Sequence, residues 1–265
     1  MIILCSFGFI SSLSLAFPSS TTIYAADEAS GPIGKCVQRV CHDTLPWLIS
    51  ISLDGKRSAV MNLLPLKALG LVTLLFLGVY VPTFLIIALI KPRPQIAIPL
   101  IIGLSLAIAL TFIYFLSSRT RGFSHFGFEG AGYRYIWIAT ALGVPVGFVL
   151  TFVASRYNST NPFGDVSLQP WMIFLCFIIG TPIQEEIIFR GLLQTTLEER
   201  LTVSFPALGT SISSAVLIVA VLFGLIHLAI GVATAVAALV LGLLAGELRR
   251  RSSSLLPAIV LHAIF

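Results

Sequence analysis

The sequence predicts an all-α, polytopic membrane protein, a bundle of about seven to eight transmembrane helices whose last member is truncated at Phe265. Three observations predict it. Charged residues make up only 10% of the 265-residue chain and hydrophobic ones 57%, whereas a soluble domain carries about 25% charged residues. Mean hydropathy is +1.01. Apolar runs long enough to cross a hydrocarbon core recur along the chain, separated by short polar segments. The same numbers exclude disorder, which needs low hydrophobicity and high charge. The runs lack the two-residue alternation of a membrane barrel, so helices are the element that satisfies their backbone in lipid. Net charge is +5, but the basic residues sit between apolar runs rather than on one face. That placement excludes a nucleic-acid partner and implies a lipid one.

Residues 1–26 are apolar and end in Tyr24-Ala25-Ala26, a signal-like stretch or an N-terminal membrane anchor. No Lys or Arg precedes the stretch, and neither Ile23 nor Tyr24 is the small residue that cleavage requires. Residues 27–67 read as a polar loop. Within it Cys36, Cys41 and His42 lack the ligand spacing of a zinc site and read as a loop disulfide or free thiols. Residues 68–167 hold the N-terminal membrane helices, in runs 68–90, 96–118 and 135–155. Pro92 and Pro94 turn the chain after the first, and a Gly-rich loop (119–134) follows the second. Residues 168–265 hold the runs 168–193, 205–230 and 232–248, then a run from Leu255 that stops at Phe265.

Basic residues in the short loops set the orientation. Arg119, Arg121, Arg134, Arg200, Arg249, Arg250 and Arg251 fall on one side, and Lys91, Arg93 and Arg156 on the other. The first side is expected to face the cytoplasm. Parity places the 27–67 loop there too, which favours the anchor. The expected location is multi-pass in the plasma (inner) membrane.

Ionisable residues inside the runs carry the chemistry, because a charge at mid-bilayer costs about 2.5–3.5 kcal/mol on insertion scales. They are Glu185, Glu186, Arg190, His227 and His262. Glu247 stands just before Arg250 and Arg251 and reads as an interfacial surface charge. Thr181-Pro182-Ile183-Gln184 has the pattern of a capping box with Pro in the first turn, which predicts a helix start or restart at Gly180-Thr181. Glu186 and Arg190 are four apart with the acid first, the favourable order for an ion pair. Glu185 projects about 100° away around the helix and has no basic neighbour at that spacing. A polar site between helices, built from Glu185, His227 and His262, can activate water, bind a metal or relay protons. HExxH is absent, so a zincin site is not supported.

These segments resemble the CAAX protease and bacteriocin-processing family of intramembrane endopeptidases. Glu185-Glu186-Ile187-Ile188-Phe189-Arg190 matches its EExxxR element, Phe223 to His227 its FxxxH element, and His262 the His that opens its HxxxN element. The likeness covers residues 168–265. It implies a helical bundle that hydrolyses a peptide bond without a covalent intermediate. Glu185 would be the general base, His227 its helper and His262 an oxyanion donor. Glu186 and Arg190 would orient and pair. The partner Asn would fall at position 266, beyond Phe265. The resemblance implies a peptide or protein substrate, prenylated CAAX tails among them. It leaves the cofactor open between zinc, held by Glu185, His227 and His262, and none. A catalytically silent membrane scaffold or bacteriocin-immunity-like protein of the same family is the alternative. A proton-coupled transporter is disfavoured by the lack of an internal repeat.

Overall fold

The computed structural model describes residues 64–118, 122–157, 168–207 and 210–265. The expected anchor at 1–26 and nearly all of the 27–67 loop, with Cys36, Cys41 and His42, lie outside the described residues. The described chain is a helical bundle. Helix α1 is Leu64–Ile90 and α2 is Pro94–Ser117, followed by a 3₁₀ turn at Phe123–Phe126. Helix α3 is Tyr133–Tyr157. Helix α4 runs unbroken over Pro170–Glu198. A two-stranded antiparallel hairpin follows, β1 Ser204–Ala207 against β2 Thr210–Ser213. The chain ends in α5 Ser214–His227, α6 Val232–Ser252 and α7 Leu256–Ile264.

Among the described residues five helices, α1–α4 and α6, are long and apolar enough to cross a membrane. Their outer surface is apolar, with Leu74, Phe115, Trp137 and Phe148 all more than half exposed. This is the surface of an integral multi-pass membrane protein rather than a soluble one. Hydroxyls within these helices turn back onto their own backbone. Thr83 Oγ1 donates to the Val79 carbonyl at 2.8 Å and Ser105 Oγ to that of Ile101 at 2.6 Å. Both residues are fully buried inside the bundle, and their own helix supplies the acceptor.

One local expectation is corrected and another is refined. The run 205–230 is not one span. Its first part forms the hairpin, and α5 begins only at Ser214, after Ser213 accepts from the Val216 N–H at 3.2 Å as a side-chain cap. At Gly180-Thr181 the expected start or restart is a restart: α-helical turns, Thr181–Glu186, resume there after π-helical ones, without a new helix N-terminus. Gly180 has right-handed helical dihedrals (φ −66°, ψ −51°) and no side-chain cap forms there. Instead α4 continues through Pro182. Proline removes one backbone donor and crowds the carbonyl four residues earlier. The turns at Ile173–Gly180 are wider, π-helical ones that accommodate it. A second π-helical stretch, Ile187–Gln194, follows the α-helical Thr181–Glu186.

Helix α4 lies at the centre. Its Ile188, Phe189, Leu192, Leu193 and Leu197 are fully buried, and α1, α2, α5, α6 and α7 all pack on it. Helices α5 and α6 approach closely because glycines line the contact. A Cβ on Gly242 would stand 2.9 Å from Ala220 Cα, and one on Gly246 2.9 Å from Val216 Cγ1. Gly242→Leu is therefore expected to cost about 1–3 kcal/mol by overpacking, read as a lower melting temperature of the detergent-solubilised protein. An unchanged melting temperature would show that α5 and α6 separate without penalty.

Candidate active site

The site forms where the α-helical segment of α4 meets α5 and α7. Glu186 and Arg190 are both fully buried, and Arg190 Nη1 donates to Glu186 Oε1 at 3.0 Å. The pair expected from spacing is thus formed inside the bundle. The same Glu186 oxygen accepts from His262 Nδ1 at 2.8 Å. A carboxylate can only accept, so Nδ1 carries the hydrogen. That turns the other ring nitrogen, Nε2, toward Glu185 Oε2 at 3.7 Å. Helical periodicity separates Glu185 from Glu186, and one imidazole from α7 spans the two.

The two carboxylates differ in their surroundings. Glu186 is enclosed and held by a cation and an imidazole. Glu185 keeps 15% of its side chain accessible, while its buried Oε2 has no hydrogen-bond partner. At 3.7 Å the gap to His262 Nε2 is too long for a direct hydrogen bond. Glu185 is therefore the carboxylate left available for a reacting group.

Phe223 organises the rest. Its ring is almost wholly buried. It lies edge-on to Phe189 at 4.9 Å and to His262 at 5.9 Å. The Arg190 guanidinium stacks over it at 4.6 Å, a contact worth about 2 kcal/mol when desolvated. His227 is packed against the same ring at 4.6 Å. Its Nδ1 donates to the Phe223 carbonyl at 2.7 Å, one helical turn back. This fixes the tautomer in which neutral His227 offers Nε2 as an acceptor. Among the described residues His227 makes no hydrogen bond to Glu185, Glu186 or His262. The structure thus brings Glu185, Glu186, Arg190 and His262 into one chain of contacts. It joins His227 to them through Phe223.

A catalytic zinc needs three protein ligands. Among the described residues no three His, Cys, Asp or Glu side chains form such a set. Glu185 and His262 approach one another, but His227 stays on its own helix and does not complete the trio. The ligand set inferred for zinc does not fit the ion in this arrangement.

Two polar residues that the motifs do not name also border the site. Gln184 is buried and its Nε2 donates to Tyr80 Oη of α1 at 3.5 Å. Gln184 reads in sequence only as part of a cap, and Tyr80 only as one aromatic in an apolar run.

A separate polar cluster marks the end of the bundle that carries the basic loops. His125 Nε2 pairs with Glu199 Oε1 at 2.7 Å, and Arg249 Nη2 donates to the His125 carbonyl at 2.9 Å. Glu247 pairs with Arg250 at 2.6 Å and Arg251 at 2.7 Å, the surface role expected of it. Arg200 pairs with Glu199 at 3.1 Å. These contacts gather Arg200, Arg249, Arg250 and Arg251 near one end, as the orientation argument requires.

Comparison with known proteins agrees with the motifs. No curated protein and no solved structure gives a significant match to the chain. Residues 167–265, which hold α4 to α7 and every motif residue, match the family model described as Type II CAAX prenyl endopeptidase Rce1-like. The part of the chain that builds this site is thus similar to the Rce1-like type II CAAX prenyl endopeptidases.

Proposed function

We propose that the protein is an intramembrane endopeptidase of the CAAX type, in the plasma (inner) membrane, acting on a peptide or protein substrate that includes prenylated tails. The observation that carries this reading is the division of labour between adjacent carboxylates. Glu186 is committed to Arg190 and His262, and Glu185 Oε2 is buried without a partner. Water bound at Glu185 gives a proton to that carboxylate as its oxygen adds to the scissile carbonyl. The proton then passes to the leaving amine nitrogen, and a carboxylic acid and an amine result. His227, with Nε2 free to accept, assists in drawing the proton from the water. His262 is held through Nδ1 by Glu186. When it also carries hydrogen on Nε2, that atom donates to the developing oxyanion. Arg190 and Glu186 act by holding His262 in place.

The test uses the purified protein in proteoliposomes with a farnesylated peptide ending in a Cys-aliphatic-aliphatic-X sequence, beside its unfarnesylated twin. Wild type should cleave the farnesylated peptide. His227→Ala should lower the rate by about 10²–10⁴-fold while the protein still accumulates in the membrane. Wild-type rates retained by the variant remove His227 from the water-activating pair. A wild-type protein inert toward both peptides moves the reading to the silent scaffold.

A further inference from the structure

Tyr80 is a polar group in an apolar setting. Helix α1 carries no family motif, and its neighbours in this turn are aromatic. Phe76 lies 4.8 Å from the Tyr80 ring and Phe84 stacks at 6.1 Å. Phe76 in turn touches Phe189, between Glu186 and Arg190, at 6.2 Å. A phenylalanine would satisfy this packing. A buried phenol hydroxyl normally finds a hydrogen-bond partner. Here the hydroxyl oxygen accepts from Gln184 Nε2 at 3.5 Å. Its own hydrogen has no acceptor among the described residues. The residue after Gln184 is Glu185, whose Oε2 is likewise buried without a partner. One free donor and one free acceptor thus border the same segment of α4. The donor comes from α1 and the facing imidazole from α7, and both helices pack on α4.

We propose that Tyr80 is a catalytic hydrogen-bond donor of this site, its hydroxyl directed at the carbonyl oxygen that becomes negatively charged when water adds. The proposal rests on the peptidase reading above. The hydroxyl hydrogen stays on Tyr80, and no bond to it is made or broken. Gln184 keeps the ring's oxygen oriented by occupying its acceptor side. A donor of this kind acts on the transition state more than on the bound substrate, so its removal lowers kcat and leaves KM nearly unchanged.

The experiment compares Tyr80→Phe, Phe84→Leu and Glu185→Ala with wild type in the farnesylated-peptide assay, and follows thermal unfolding of each in detergent. Tyr80→Phe keeps the ring and removes one oxygen. Its kcat is expected to fall about 10²–10³-fold, with KM within about threefold and the melting temperature unchanged. Phe84→Leu disturbs the stack but keeps the hydroxyl, and is expected to retain kcat. A Tyr80→Phe kcat within about twofold of wild type overturns the donor role. Parallel losses of kcat and melting temperature in Tyr80→Phe and Phe84→Leu overturn it in favour of packing. Glu185→Ala separates the two claims. If it is inactive while Tyr80→Phe is fully active, Tyr80 alone is wrong. If Glu185→Ala is active, or wild type is inert, the peptidase reading fails and the role of Tyr80 falls with it.

Discussion

Glu185→Gln is expected to abolish peptide cleavage while leaving the protein at least as stable as wild type. The activity loss follows from chemistry. An amide has nearly the shape of the carboxylate but cannot take a proton from water. Removal of a general base costs about 10²–10⁴-fold. The stability result follows from geometry. Glu185 Oε2 is buried without a partner, and the nearest imidazole nitrogen is 3.7 Å away. The substitution therefore breaks no native hydrogen bond, and it removes a charge that burial disfavours. An active site that keeps an under-satisfied group is less stable than it need be. Cleavage by proteoliposomes and thermal unfolding in detergent read the two halves. A variant that cleaves at the wild-type rate removes Glu185 as the base. A variant that is inactive but also markedly less stable shows that Glu185 holds the bundle together instead.

The parts of the fold set by lipid were legible in the sequence. Helices α1, α2, α3 and α6 lie within a few residues of their apolar runs, because hydrocarbon permits little else. Local signals were legible only in part. Thr181-Pro182-Ile183-Gln184 has the residues of a helix start. The α-helical turns do restart at Thr181, but no side-chain cap forms, and the chain stays helical through Pro182 behind wider π-helical turns. Expectation failed at 205–213. Phe205, Pro206, Ala207 and Ile212 read as apolar continuation, whereas Pro206 lies within β1 opposite Ser211 and Ser213 supplies the cap that starts α5. In the candidate site, the Glu186–Arg190 pair was legible from spacing because both residues lie on one helix. The bridge from Glu186 to Glu185 was not, since it depends on how α7 docks His262 against α4. Tyr80 was illegible for the same reason. Its contact with Gln184 spans 104 positions of sequence.

The neighbouring carboxylate should behave in the opposite way, because Glu186 and Arg190 form a fully buried ion pair. Arg190 makes one side-chain hydrogen bond, to Glu186, and stacks on Phe223, while its Nε and Nη2 have no partner. Arg190→Met removes the cation and, among the described residues, leaves the Glu186 charge buried with His262 as its one hydrogen-bond partner. Breaking such a pair from one side typically costs about 3–5 kcal/mol, so a large fall in melting temperature and in membrane yield is expected. Adding Glu186→Leu to Arg190→Met takes away the stranded charge as well. Replacing both partners of a buried pair with apolar residues of similar volume is often neutral or stabilising, so the double variant should recover most of the lost stability. It should not recover cleavage. Without Glu186, His262 Nδ1 has no acceptor, and the ring that faces Glu185 is free to rotate. Recovery of stability together with activity would mean that His262 needs no anchor and that the pair serves insertion alone. Failure to recover stability would assign the energetic role to Arg190 itself, through its stack on Phe223 rather than through the ion pair.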